Sequence, residues 1–248
     1  TITEGDPTAT EFSLTGKFQK TLNSITADVP TAGKEFELKI TGATPNTNTT
    51  SLTGKVTDMT PVKVTGTEDQ YTITKSFFGA NDKLAFDKAG TYTYTVQEVK
   101  PAAPVAGMQY DETIYTLTIK VTESNGALSI TSAKVTKPGA ADQPEQVADL
   151  MGTPNDTFTI INTFTAATLP LDPPSEEPES PTAGIKVIKS LTGDPKTETF
   201  RAQLLEGATV KATASAAATT GVPAAFEGFG TLVFTEAKTY NYTIKEIP

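Results

Sequence analysis

Three polar residues of this 248-residue chain stand where strand periodicity calls for apolar ones. Side chains of a half-buried strand alternate between two faces, so its inward row can be read by parity. In 91–99 (TYTYTVQEV) the row Tyr92, Tyr94, Val96 runs on to Glu98. In 158–164 (FTIINTF) Phe158, Ile160 and Phe164 share their row with Asn162. Near the N-terminus Lys20 lies between Phe18 and Leu22. Burying a lone charged Lys or Glu is costly, so such groups pair or neutralise. Burial lowers the Lys pKa and raises the Glu pKa. A neutral amine is a nucleophile, and a protonated carboxyl can donate to an amide oxygen. Beside an Asn carboxamide, the three groups could carry out one intramolecular reaction. The Lys20 amine would attack, Glu98 would polarise the carbonyl and shuttle protons, and ammonia would leave an isopeptide bond.

Each residue also has an ordinary reading. Lys20 by itself is equally a surface lysine on an edge strand, where lysine is common. Lys17 is its rival, but Lys17 shares parity with Gln19 and Thr21 and should face solvent. Glu98 could simply end its strand, and Asn162 could be a turn or edge residue. The joint parity of all three is stronger than any one, and Glu98 recurs as Glu246 after the same aromatic pattern. Asn48, Asn155 and Asn241 open glycosylation tripeptides, which Thr-rich sequence produces by chance. Tyr92, Tyr94, Tyr110 and Tyr115 read as core residues with one polar end before they read as a carbohydrate platform. No calcium loop of the Asp-x-Asp-x-Asp-Gly kind occurs, and no metal site is expected.

The elements that must hold these side chains are strands. The clearest lie at 36–40, 70–76, 91–99, 114–122, 128–135 and 158–164, punctuated by Gly, Pro, Asn and Asp. Only 143–151 (QPEQVADLM) could hold a short helix, and 41–61 reads as a long insert without strong patterning. Strands at this spacing without intervening helices predict an all-β, immunoglobulin-like sandwich. The stretch 166–183 is rich in Pro and Glu and has little to bury, which predicts a semi-rigid linker.

After that linker the sequence begins again. Residues 17–23 (KFQKTLN) match 186–192 (KVIKSLT), and 36–40 match 200–204. Residues 86–99 (FDKAGTYTYTVQEV) align with 234–247 (FTEAKTYNYTIKEI) at seven of fourteen identical positions. The inward rows repeat as Val187, Lys189, Leu191 and as Tyr240, Tyr242, Ile244, Glu246. The expected organisation is a sandwich over 1–165, a linker over 166–183 and a partial second sandwich over 184–248. Nothing in the second copy corresponds to 110–164, so it is expected to be incomplete and finished by further sequence or by another chain.

Composition removes much else. With no Cys and no His there is no disulfide, thiolate nucleophile, Ser-His-Asp relay or imidazole zinc site. A formal charge of −9 without any basic cluster argues against nucleic acid. No apolar run approaches the length of a membrane span. The 47 threonines are β-branched and suit solvent-facing strand positions, as in extracellular all-β proteins.

The residues quoted above resemble the isopeptide-linkage domain of Gram-positive pilins and surface adhesins. The resemblance rests on FQKTLN, on TYTYTVQE with its terminal Glu, on YDETIYTLTIKVTESNGAL (110–128) and on FTIINTF. It covers nearly all of 11–165 and the first part of a second copy. It implies that Lys20 and Asn162 form the bonded pair with Glu98 as catalytic acid. Lys189 and Glu246 would be their counterparts, the second Asn being absent. It implies a cell-wall-attached, extracellular stalk or pilus subunit whose partners are other domains or subunits, with no cofactor and a single self-crosslinking turnover. The alternative is an adhesin module that binds a host glycan or protein through its loops, the 41–61 insert being the place to look. No sortase sorting signal is visible: TLPLD (168–172) has the Leu-Pro but no following Thr-Gly. No pilin-type motif presenting an intermolecular lysine is clear either.

Overall fold

The computed structural model describes residues 8–43, 51–140, 143–152, 156–172 and 186–247. It divides the chain into two compact units, Thr1–Thr165 and Ala166–Pro248. Among the described residues nearly all regular structure is strand, apart from one short 3-10 turn at Thr31–Lys34. No helix of the described residues is long and apolar enough to cross a membrane.

The first unit contains β1 (Thr10–Ser13), β2 (Phe18–Ser24), β3 (Phe36–Ala43), β4 (Ser51–Val56), β5 (Val62–Lys63), β6 (Tyr71–Ser76) and β7 (Lys83–Phe86). It continues with β8 (Gly90–Glu98), β9 (Met108–Gln109), β10 (Tyr115–Ser124), β11 (Ala127–Lys137), β12 (Glu145–Asp149) and β13 (Phe158–Phe164). One sheet runs β12-β11-β10-β8-β3-β4 and the other β5-β6-β2-β13-β9, with β1 and β7 paired separately. Most neighbours are antiparallel, but β2 and β13 pair in parallel, setting Lys20 opposite Ile160 and Leu22 opposite Asn162.

Period-two alternation explains how the sheets meet. Along β2 the rows are Phe18, Lys20, Leu22 and Ser24, all buried, against half-buried Gln19, Thr21 and Asn23. β8, β10 and β13 alternate in the same way, so Thr takes the outer positions and the aromatic and aliphatic residues face one core. The two layers touch through edge-on rings, Tyr115 of β10 against Phe158 of β13 at 4.7 Å between centroids. Tyr92, Tyr94 and Tyr115 are core residues, as their rows predict.

Two segments of the first unit differ from the sequence expectation. The stretch 143–151 holds strand β12, not a helix, because Gln146 and Ala148 complete the edge of the first sheet against β11 and Ala148 is buried there. In the 41–61 insert, residues 44–50 lie outside the described residues, whereas 51–56 form β4 paired with β3. Its strand pattern is interrupted by Gly54, where an added Cβ would come within 2.8 Å of the Phe77 carbonyl oxygen. Close backbone approach, not looseness, accounts for that glycine.

The second unit contains β14 (Ala167–Pro170), β15 (Ile188–Lys189), β16 (Thr197–Glu206), β17 (Thr209–Thr219), β18 (Ala224–Ala225), β19 (Thr231–Phe234) and β20 (Thr243–Ile247). Its strands pair as β17-β16-β20, β14-β19 and β15-β18. Its core is small and partly alanine: Leu171, Ala202, Leu204, Ala214, Ala216, Phe226, Phe229 and Leu232. Residues 167–170, expected to belong to the linker, instead form β14 and carry Leu171 into this core. An alternating Ala-Thr-Leu-Pro-Leu run has apolar surface to bury, which the Pro and Glu beyond it lack. Residues 173–183 of that expected linker lie outside the described residues.

Candidate functional site

Lys20, Glu98 and Asn162 meet in the first unit. They are 0%, 3% and 1% exposed, and among the described residues Ser24 is the only other buried polar or charged residue. Lys20 comes from the middle of β2 and Asn162 from β13, its parallel neighbour in one sheet. Glu98 is the last residue of β8 in the opposing sheet, paired with Leu38 of β3. Each side chain points inward because its row does, so strand parity alone delivers all three to the space between the sheets.

The carboxylate of Glu98 joins the other two. Lys20 Nζ lies 2.5 Å from Glu98 Oε2, and Asn162 Nδ2 donates to Glu98 Oε1 at 2.5 Å. The Asn162 carbonyl oxygen accepts the backbone N–H of Asp111 at 3.0 Å. No buried side-chain nitrogen or oxygen lacks a partner among the described residues. The ring of Phe36 lies beneath the Lys20 ammonium, 4.6 Å from centroid to Nζ.

Burial sets the electrostatics. Desolvation lowers the Lys20 pKa to about 8, against the opposing pull of the Glu98 charge. Desolvation likewise raises the Glu98 pKa, with Lys20 opposing. Both shifts favour the neutral amine and the neutral acid, which are related to the ion pair by one proton moving along the short Lys20–Glu98 hydrogen bond. Lys17, the rival lysine, points outward and pairs with half-exposed Asp156 at 2.5 Å.

The surroundings contain groups that parity could not find. The loop between β9 and β10 carries Tyr110, whose ring packs 6.4 Å from Phe36, and Asp111, whose side chain binds Thr113 and Tyr115. Burial and the hydrogen bond to Asp111 push the Tyr115 hydroxyl up to about 12. Gly107, just before β9, takes φ +82°, and an added Cβ there would lie 2.4 Å from the Thr165 carbonyl oxygen. The one legible signal for this loop was the segment beginning YDE, quoted above without a role for its Asp.

The second unit repeats part of the arrangement with a different outcome. Lys189 Nζ lies 2.7 Å from Glu246 Oε2, and 4.2 Å above the Phe200 ring. Val187, Lys189 and Leu191 keep their parity but are only half-buried. Glu246 and Ile244, expected to face inward, are exposed: the Glu246 side chain is 47% accessible. β20 pairs with β16, yet among the described residues no strand corresponding to β13 covers that face. The parity is right, and the opposing layer that would turn it into burial is not among the described strands. Of the glycosylation tripeptides, Asn241 is exposed, while Asn48 and Asn155 lie outside the described residues.

The model of the family described as Spy0128-like isopeptide containing domain matches residues 16–164 and again 185–248. Comparison with curated proteins finds no match. Among solved structures the chain is similar to the major pilin from Streptococcus pyogenes, at 15% identity and TM-score 0.40 over 98% of this chain and 83% of that one. The T-13 major pilin protein from S. pyogenes is similar at 14% identity and TM-score 0.36 over 96% of this chain and 80% of that one. The T3.2 major pilin protein from S. pyogenes is similar at 14% identity and TM-score 0.34, over 98% and 83%. All three are distant likenesses.

Proposed function

The chain belongs to the family of Spy0128-like isopeptide-containing domains, and from that membership we propose that its first unit staples itself through a bond between Lys20 and Asn162. Glu98 promotes the reaction. The role that follows is structural: a stalk or pilus subunit on the surface of a Gram-positive bacterium, outside the cell and attached to its wall, with other subunits or domains as partners. The observation that carries the reading is that the Lys20 and Asn162 nitrogens each lie 2.5 Å from a different oxygen of one buried carboxylate.

The chemistry balances without a cofactor. A proton moves from the Lys20 ammonium to Glu98, leaving a neutral amine beside a neutral acid. Lys20 Nζ attacks Asn162 Cγ, a C–N bond forms and the carbonyl oxygen takes up negative charge. Glu98 gives its proton to Asn162 Nδ2 and takes one from the attacking nitrogen in its place. The Cγ–Nδ2 bond breaks, ammonia leaves and an amide remains. Water is kept from the intermediate by the same burial that shifts both pKa values.

Force entering at β2 and leaving at β13 would then pass through a covalent bridge between adjacent strands and bypass the hydrogen-bonded sheet. A neutral amide also removes two buried charges, which a Cys-free chain cannot otherwise convert into a crosslink. Intact-mass measurement tests the reading. The expected mass of the full chain is lower than its sequence by one ammonia, and Glu98→Ala or Asn162→Ala restores the full mass. A well-folded wild-type chain of full sequence mass would overturn it.

A further inference from the structure

The self-stapling reaction leaves one conspicuous hydrogen bond without a task. Asp111 lies in the irregular loop between β9 and β10, so its backbone N–H has no place in a sheet ladder. It donates instead to Asn162 Oδ1 at 3.0 Å, on the side of the carboxamide away from the Glu98 contact. Attack by Lys20 on Asn162 Cγ puts negative charge on that oxygen. A fixed donor about 2.7–3.1 Å from the position of a developing oxyanion is the geometry that lowers such a barrier.

The loop is built so that this donor stays fixed. The Asp111 carboxylate accepts the Thr113 N–H at 2.9 Å through Oδ1 and the Tyr115 hydroxyl at 2.7 Å through Oδ2. Tyr115 is itself anchored in the core against Phe158, one strand position from the loop's end. On the other flank Tyr110 packs on Phe36 and accepts the Val105 N–H at 3.2 Å. The carboxylate is thus occupied by Thr113 of its own loop and by Tyr115 at the start of β10, while the Asp111 N–H is turned toward the site. An Asp whose only task was to cap the turn would not need its N–H aimed at the reacting carboxamide.

Resting on the Lys20–Asn162 reading above, we propose that the backbone N–H of Asp111 is the oxyanion donor of the stapling reaction. In this scheme Asp111's side chain, Thr113 and Tyr115 are positioning groups that hold the donor. The YDETIY run (110–115) thereby acquires a role: it supplies a backbone donor to Asn162 Oδ1 whose contact grows stronger as the tetrahedral intermediate forms.

The test follows the unimolecular loss of ammonia by the full chain after cell-free synthesis has been stopped, with intact mass read at intervals. Near-ultraviolet circular dichroism checks that each variant is folded. Asp111→Pro deletes the N–H and should slow the loss on the order of 100-fold or more. Asp111→Ala and Tyr115→Phe keep the N–H but loosen it, and should slow the loss by about tenfold. Asp111→Asn can still accept from Thr113 and bond Tyr115, so it should stay within about threefold of wild type. That rescue separates positioning from any effect of the Asp111 charge. If Asp111→Pro does not fold, Asp111→Ala and Tyr115→Phe decide the matter. Folded Asp111→Ala and Tyr115→Phe chains that staple at the wild-type rate would overturn the oxyanion role and leave the crosslink intact. A wild-type chain that never loses ammonia would instead remove the reading on which the role rests.

Discussion

Lys20 and Asn162 approach one carboxylate from adjacent parallel strands, Lys20 Nζ on Glu98 Oε2 and Asn162 Nδ2 on Oε1, both at 2.5 Å. The parallel pairing of β2 and β13 makes this arrangement possible. Lys20 lies opposite Ile160, so Asn162 is two residues further along the neighbouring strand and on the same face. The Lys20 and Asn162 side chains are therefore neighbours on one face of the ladder, as the proposed attack requires, and Glu98 enters from the other sheet to bridge them.

Opening the bridge should be costly. Asn162→Ala removes the acceptor and frees a chain segment longer than 100 residues, worth on the order of 5 kcal/mol by loop entropy. Urea unfolding of the two chains measures it as a lower midpoint for the variant, with a steeper slope because its denatured state is no longer held by the crosslink. Equal midpoints would contradict a crosslink in the wild type.

Removing the carboxylate should cost more than removing the acceptor. Glu98→Ala abolishes the bond and also leaves the Lys20 ammonium buried without its partner, a penalty of about 3–5 kcal/mol. The double change Lys20→Met, Glu98→Gln takes the charge away and should recover most of that loss. Denaturant midpoints of the three uncrosslinked chains test the order: Glu98→Ala lowest, Asn162→Ala and the double variant above it.

The rate of stapling should be bell-shaped in pH. The reactive form, neutral Lys20 with protonated Glu98, holds the same number of protons as the ion pair, so the rate is flat while that count is kept. As pH falls through the raised Glu98 pKa, a second proton occupies the pair and the amine stays an ammonium. As pH rises through the Lys20 value of about 8, the pair loses its proton and Glu98 can no longer supply an acid to the leaving nitrogen. Both limbs belong to the coupled pair and not to one residue. Ammonia loss measured across pH, on the acid and alkaline sides of the plateau, reads them directly; a rate rising steadily with pH would mean that only amine deprotonation matters.

The second unit's pair should behave as an ordinary surface contact. Lys189 and Glu246 are partly solvated, at 22% and 47% side-chain exposure. Glu246→Ala should change the unfolding of this chain by no more than about 1 kcal/mol. Thermal and urea scans of that variant beside Glu98→Ala give the contrast, and a comparable loss at both sites would show that exposure is not what separates them.

Much of the first site could be read from the residue order, because burial of a strand face is periodic and local. Phe18-x-Lys20-x-Leu22, Tyr94-x-Val96-x-Glu98 and Ile160-x-Asn162-x-Phe164 each announce an inward polar residue in an apolar row. The same periodicity placed Lys17 outside. Asp111 escaped it, since a loop's backbone N–H carries no side-chain signature and the loop is held by the contacts of the Asp111 carboxylate with Thr113 and Tyr115. β4 and β12 escaped for related reasons: Gly54 answers to Phe77, and β12 is defined by the edge it completes.

The sequence by itself determined an all-β chain, the two copies of its Lys-bearing and Glu-bearing strands, and which face each polar residue takes. Those are properties of alternation, repeat and composition, all written along the chain. Only the tertiary structure decided which inward residues become a site. Glu98 lies under β2 and β13 and is 3% exposed, while Glu246, with the same parity in the same kind of strand, lies open. Desolvation needs a second layer, and a second layer is a relation between distant segments that no local pattern contains.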